Sequence, residues 1–126
     1  MDCIVAQRVL IVDDSKTALQ VMQVLLMGRE FEFQLAATAE DALRMADAQP
    51  PDLVISDLTM PGMSGIDLCK RLKQNRQHRY TPFLLVTANK EDRNRRVAFA
   101  AGASGYIAKP VDPDRLNALV DSVLPR

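Results

Sequence analysis

The 126-residue chain has no tryptophan, one histidine (His78), and two cysteines, Cys3 and Cys69, which lie far apart and form no CxxC pair. So few nitrogen and sulfur donors argue against a zinc or copper site and against a disulfide framework, and a reducing compartment is expected. No apolar run approaches the ~18 residues of a membrane span. Nor does a basic region followed by a long apolar stretch open the chain, so no signal peptide is read. Net charge is zero, which removes any bulk attraction to nucleic acid or an anionic membrane. Aromatics make up only 5% of residues, too few for a stacking platform, so direct nucleic-acid binding is not expected. Together these absences predict a soluble, cytoplasmic domain.

A hydrophobic fraction of 48% with 25% charge is globular, and the length suits one domain with a two- or three-layer core. Charge is unevenly spread. Nine Lys/Arg fall between Lys70 and Arg96 against only Glu91 and Asp92, which predicts a basic side. It reads as a solvated face, or as a docking surface for an acidic partner near Arg93, Arg95 and Arg96. His78 reads as a loop residue among polar neighbours, without a catalytic role. Met22, Met27, Met45, Met60 and Met63 read as core and loop packing.

Short apolar runs alternate with helix-period segments. Strands are expected at Arg8–Val12, Glu32–Ala36, Leu53–Asp57, Phe83–Thr87 and Gly105–Ala108; the first, third and fourth are nearly continuous Val, Ile, Leu and Phe, as when both sheet faces are covered. Helices are expected at Ser15–Met27, Ala39–Gln49 with Thr38 as N-cap, Gly65–Gln74, Glu91–Ala101 with Gly102 as C-cap, and Asp112–Val123. Five strands alternating with five helices predict an α/β fold with a parallel sheet and right-handed crossovers.

Such sheets bind ligands beyond the carboxyl ends of their strands. The stretch VLIVDDSKTAL runs four apolar residues into Asp13 and Asp14; the third strand ends in Asp57, the fourth in Thr87, and Lys109-Pro110 follows the fifth. Three carboxylates on one rim raise one another's pKa values. A hard divalent cation such as Mg²⁺ removes the conflict. Thr87 and Lys109 make sense if a phosphoryl group sits beside the metal, and an aspartate can act as the nucleophile that accepts it. Asp57, central and followed by the Leu58–Gly65 loop, is the candidate. A capping role for Asp13 and Asp14 is the plainer alternative.

The segments VDDS, VISDLTMPGMSGIDL, VTA and GASGYIAKP resemble the receiver (CheY-like) domain of two-component response regulators, over about Arg8 to Val123. The resemblance implies a flavodoxin-like, doubly wound sheet in the order 2-1-3-4-5 and a single receiver domain over residues 1–126, with no effector domain in this chain. It implies that Asp57 accepts a phosphoryl group from a histidine kinase or phosphotransfer partner, and that Asp13 (directly or through water), Asp14, Asp57 and the backbone carbonyl of Thr59 surround Mg²⁺. Thr87 and Lys109 would contact the phosphoryl oxygens. Tyr106 would turn inward on activation, altering the face of the fourth helix, fifth strand and fifth helix toward an effector or a homodimer partner. Thr59 and Asn89 would shape access of water to the acyl-phosphate.

Three rivals remain at the level of sequence. In aspartyl-phosphate phosphatases a second carboxylate stands two residues after the nucleophile, where this chain has Thr59. A flavodoxin-like cofactor site would repel its phosphate at Asp13-Asp14. A constitutive interaction module would not need the full set of rim residues. A P-loop and a GxSxG elbow are both missing.

Overall fold

The computed structural model describes residues 6–88 and 92–124. Cys3, Asn89 and the expected helix start at Glu91 lie outside the described residues. Ten elements alternate strictly: β1 Gln7–Val12, α1 Lys16–Leu25, β2 Phe31–Ala36, α2 Ala39–Ala48, β3 Leu53–Asp57, α3 Gly65–Gln74, β4 Phe83–Thr87, α4 Asp92–Ala100, β5 Gly105–Ala108 and α5 Pro113–Val123. The strands form one parallel sheet in the order β2-β1-β3-β4-β5.

Side chains alternate across each strand, and this divides the core in two. Leu10, Val12, Val54, Phe83, Leu85 and Tyr106 pack toward α2, α3 and α4. Val9, Ile11, Leu53, Ile55, Leu84, Val86 and Ile107 pack toward α1 and α5. The near-continuous apolar strands follow from this, since both faces are covered. Helices α3 and α4, which carry Lys70, Arg71, Lys73, Arg93, Arg95 and Arg96, lie on the first side.

Helix ends obey local chemistry. Thr38 Oγ1 accepts the Asp41 N–H at 3.0 Å and caps α2. Ser64 caps α3 through the Asp67 N–H at 3.1 Å. At the end of α4, Gly102 takes φ +107; its N–H bonds Phe99 O, and the Ala103 N–H bonds Ala98 O, both at 3.1 Å. That pair is the Schellman arrangement, which satisfies two carbonyls the helix leaves open. Two boundaries differ from the sequence pattern. Helix α1 stops at Leu25, and Met27 is exposed at the turn before Gly28 rather than packed. Asp112 is the N-cap of α5, not its first turn, because its carboxylate accepts the Asp114 N–H at 3.1 Å.

Candidate functional site

Three strand ends build the site. At the end of β1, the Asp13 N–H continues the pairing with β2 by donating to Ala36 O at 3.0 Å. Its Oδ1 accepts the Ser15 N–H at 3.0 Å, while the Ser15 hydroxyl caps α1 through Ala18 N–H. This local turn leaves Asp13 Oδ2 facing inward and Asp14 exposed. At the end of β3, strand alternation sends Asp57, two residues past Ile55, to the same side as Asp13. Carboxylate oxygens of Asp13, Asp14 and Asp57 all lie within 4.8 Å of one another. Beyond β5, the Lys109 N–H donates to Thr87 O at 2.7 Å, and its Nζ lies 3.4 Å from Asp13 Oδ2 and 3.9 Å from Asp57 Oδ2. The Lys109–Pro110 peptide is cis.

Burial raises the pKa of Asp57; Lys109 partly opposes this, Asp13 adds to it, and hydrogen bonds from the Leu58 and Thr59 backbone amides oppose it again. The floor is apolar: a cavity of about 400 Å³ opens under α1 beside the carboxylates, lined by Ile11, Met22, Leu25, Ile55, Val86 and Pro110. Three acids against one ammonium leave an excess of negative charge in a site with only oxygen donors. That set fits a hard divalent cation such as Mg²⁺ and not zinc or copper.

A family model described as the response regulator receiver domain matches residues 9–121. The chain belongs to the response regulator receiver domain family. Among curated relatives, this receiver domain is 32% identical over 120 residues to the alkaline phosphatase synthesis transcriptional regulatory protein PhoP of Bacillus subtilis, covering 95% of this chain and 49% of that protein. It is 34% identical over 116 residues to the response regulator PleD of Caulobacter vibrioides, covering 92% of this chain and 26% of PleD. The chain thus spans about half and about a quarter of their lengths. Among solved structures, a putative response regulator from Chloroflexus aurantiacus superposes with TM-score 0.91 at 35% identity, covering 97% of this chain and 100% of that one. The chemotaxis protein CheY4 of Vibrio cholerae does so with TM-score 0.89 at 32% identity, covering 95% and 100%. Receiver domains are signalling switches rather than enzymes, and they work with histidine kinases and output domains.

The remaining residues singled out from the sequence are distributed around this receiver site. Thr87 closes β4 and is buried; its neighbour Val86 pairs with Asp57 in the sheet register. One residue earlier, Leu85 pairs with Tyr106, which packs on the α3 and α4 face. Tyr106 is 9% exposed and packs in the core, so it already stands inward here, where the resemblance implies an inward turn on activation. Thr59 is exposed two residues after Asp57. Arg93, Arg95 and Arg96 are exposed on α4. None of the helices among the described residues is long and apolar enough to cross a membrane.

His78 lies in a turn among exposed polar neighbours, as the sequence suggests, but is itself buried. It is 1% exposed, and its Nε2 lies 2.9 Å from Asp47 Oδ1 at the end of α2. The polar neighbours along the chain concealed this, because the partner stands 31 residues earlier. Two more residues escaped notice as site components. Ser56, buried beside Asp57, donates its hydroxyl to the Asp57 carbonyl at 2.9 Å. Gly65 is needed for close approach: a Cβ there would overlap the Asp57 carbonyl oxygen and lie 2.8 Å from a Leu85 methyl.

Proposed function

We propose that Asp57 is the phosphoacceptor of this receiver domain, and that the domain takes phosphoryl groups from a histidine kinase or phosphotransfer partner in a Mg²⁺-dependent reaction. An Asp57 carboxylate oxygen attacks phosphorus, the P–N bond of the donor phosphohistidine breaks, and its electron pair stays with the imidazole nitrogen. Asp13, Asp14, Asp57 and the Thr59 carbonyl would hold Mg²⁺. When bound, the ion supplies positive charge that keeps the acids ionised together and shares the phosphoryl oxygens. Lys109 steadies the carboxylates before the reaction and receives a phosphoryl oxygen after it, with the Thr87 hydroxyl as a second donor. The observation that carries this reading is the meeting of three carboxylates within 4.8 Å with Lys109 Nζ at 3.4 Å from Asp13.

A switch follows from the same contacts. Moving a two-state equilibrium from 1:99 to 99:1 takes ~5.5 kcal/mol, and hydrogen bonds to charged groups contribute roughly 1.5–3 kcal/mol each. Two or three new bonds through Thr87, Lys109 and a backbone amide suffice. Thr87 drawn toward the phosphoryl group alters the space beside Tyr106 and with it the α4–β5–α5 face, where an effector or a second copy would read the state. The core from Arg8 to Val123 acts in the cytoplasm as a single receiver domain, without direct contact to nucleic acid.

Mass spectrometry after incubation with acetyl phosphate and Mg²⁺ tests the acceptor. One phosphoryl adduct is expected on the wild type and none on Asp57→Asn; an adduct that persists in Asp57→Asn overturns the reading. Beryllofluoride with Mg²⁺ tests the switch by NMR, and unchanged Tyr106 ring resonances would refute it.

A further inference from the structure

Ser56 is fully buried in the sheet, one residue before Asp57, and the chemistry above makes no use of it. Its hydroxyl donates to the Asp57 backbone carbonyl at 2.9 Å. Three more constraints act on the same two peptide units. The Leu58 N–H donates to Val86 O at 3.1 Å, and the Leu58 carbonyl accepts the Gly65 N–H at 2.8 Å. Gly65 itself leaves room for the Asp57 carbonyl only because it has no Cβ. The Asp57 carbonyl and the Leu58 N–H belong to one planar peptide, so holding the first orients the second. The Leu58 N–H is engaged by Val86 O, and the Leu58 and Thr59 amides lie close enough to the Asp57 carboxylate to draw its pKa down. Strand alternation meanwhile turns the Ser56 side chain to the α3 face, away from the carboxylates, so it acts through the backbone and does not touch the donor.

We infer that Ser56 is a positioning residue, whose hydroxyl locks the peptide plane after Asp57 and thereby aims the Asp57 carboxylate for attack on phosphorus. This rests on Asp57 being the acceptor. The test uses the full chain with Ser56→Thr and Ser56→Val, which add nearly equal volume and differ in the hydroxyl; Ser56→Ala, which adds none, must behave as Ser56→Val does. Two readouts are taken: the phosphorylation rate with acetyl phosphate at saturating Mg²⁺, and the ¹³C shift of the Asp57 backbone carbonyl without donor. Ser56→Thr is expected to keep both near wild type. Ser56→Val and Ser56→Ala are expected to move the carbonyl resonance and slow phosphorylation roughly 2–10-fold, the factor for one lost hydrogen bond. Equal rates and equal carbonyl shifts across the three variants, with only Tm altered, would overturn the inference, since a merely structural hydroxyl changes Tm alone. If the wild type takes up no phosphoryl group on Asp57, the acceptor reading fails by itself, and the carbonyl shift still decides whether Ser56 sets the peptide plane.

Discussion

At Asp57, desolvation pushes the carboxyl pKa up, Lys109 works against it, and Asp13 reinforces it. The folded pKa therefore exceeds the unfolded one, so the linked stability is fully present below about pH 4 and is lost as pH rises through the folded value. Asn does not ionise. In chelator-treated protein, Asp57→Asn is expected to raise Tm at pH 7 and to leave it nearly unchanged near pH 3; thermal melts at both pH values check this, and a lower Tm at pH 7 would contradict it. The positions of Asp13, Asp14, Asp57 and Lys109 were legible in the sequence because each follows an apolar run that ends at the same rim. Ser56 was not legible, since a serine within a strand carries no signal of where its hydroxyl points. The burial of His78 was equally hidden.

Helix α3 is docked by the removal of a side chain. Its first residue, Gly65, meets the end of β3 so closely that a methyl group would overlap the Asp57 carbonyl. Gly65→Ala is expected to destabilise the domain by about 1–3 kcal/mol, as overpacking does, and to shift the Leu58 and Thr59 amide resonances; urea denaturation and an amide spectrum check both parts. Between α2 and the loop before β4, the His78–Asp47 contact acts as a pin. His78 Nδ1 has no hydrogen-bond partner among the described residues, so Asp47→Ala would leave the buried ring unsatisfied at both nitrogens. A loss of about 1–3 kcal/mol in urea denaturation is expected. Caps such as Thr38 and Gly102 were readable beforehand because their chemistry is local: a hydroxyl three residues before an open N–H, or a residue free to take positive φ. The length of α1 was misjudged because Leu26 and Met27 continue the apolar pattern after the helix has ended.

At the scale of the whole molecule, the site joins the ends of β1, β3 and β5, so ligand binding is tied to the folded sheet. Mg²⁺ at a hundredfold excess over its Kd is expected to stabilise the wild type by about 2.7 kcal/mol, seen as a rise in Tm. Asp57→Asn should lose most of that rise, and an equal rise in both proteins would place the ion elsewhere. The alternation of apolar strands and amphipathic helices by itself determined a parallel α/β sheet, because a strand covered on both faces must be apolar throughout. Strand ends then told which acids share a rim, since in such a sheet all carboxyl ends point one way. Only the tertiary structure decided which groups touch: Lys109 with Asp13, Ser56 with the Asp57 carbonyl, Gly65 against β3, His78 with Asp47. Those contacts depend on side-chain direction and helix docking to a few tenths of an ångström, which close packing sets and residue order along the chain does not record.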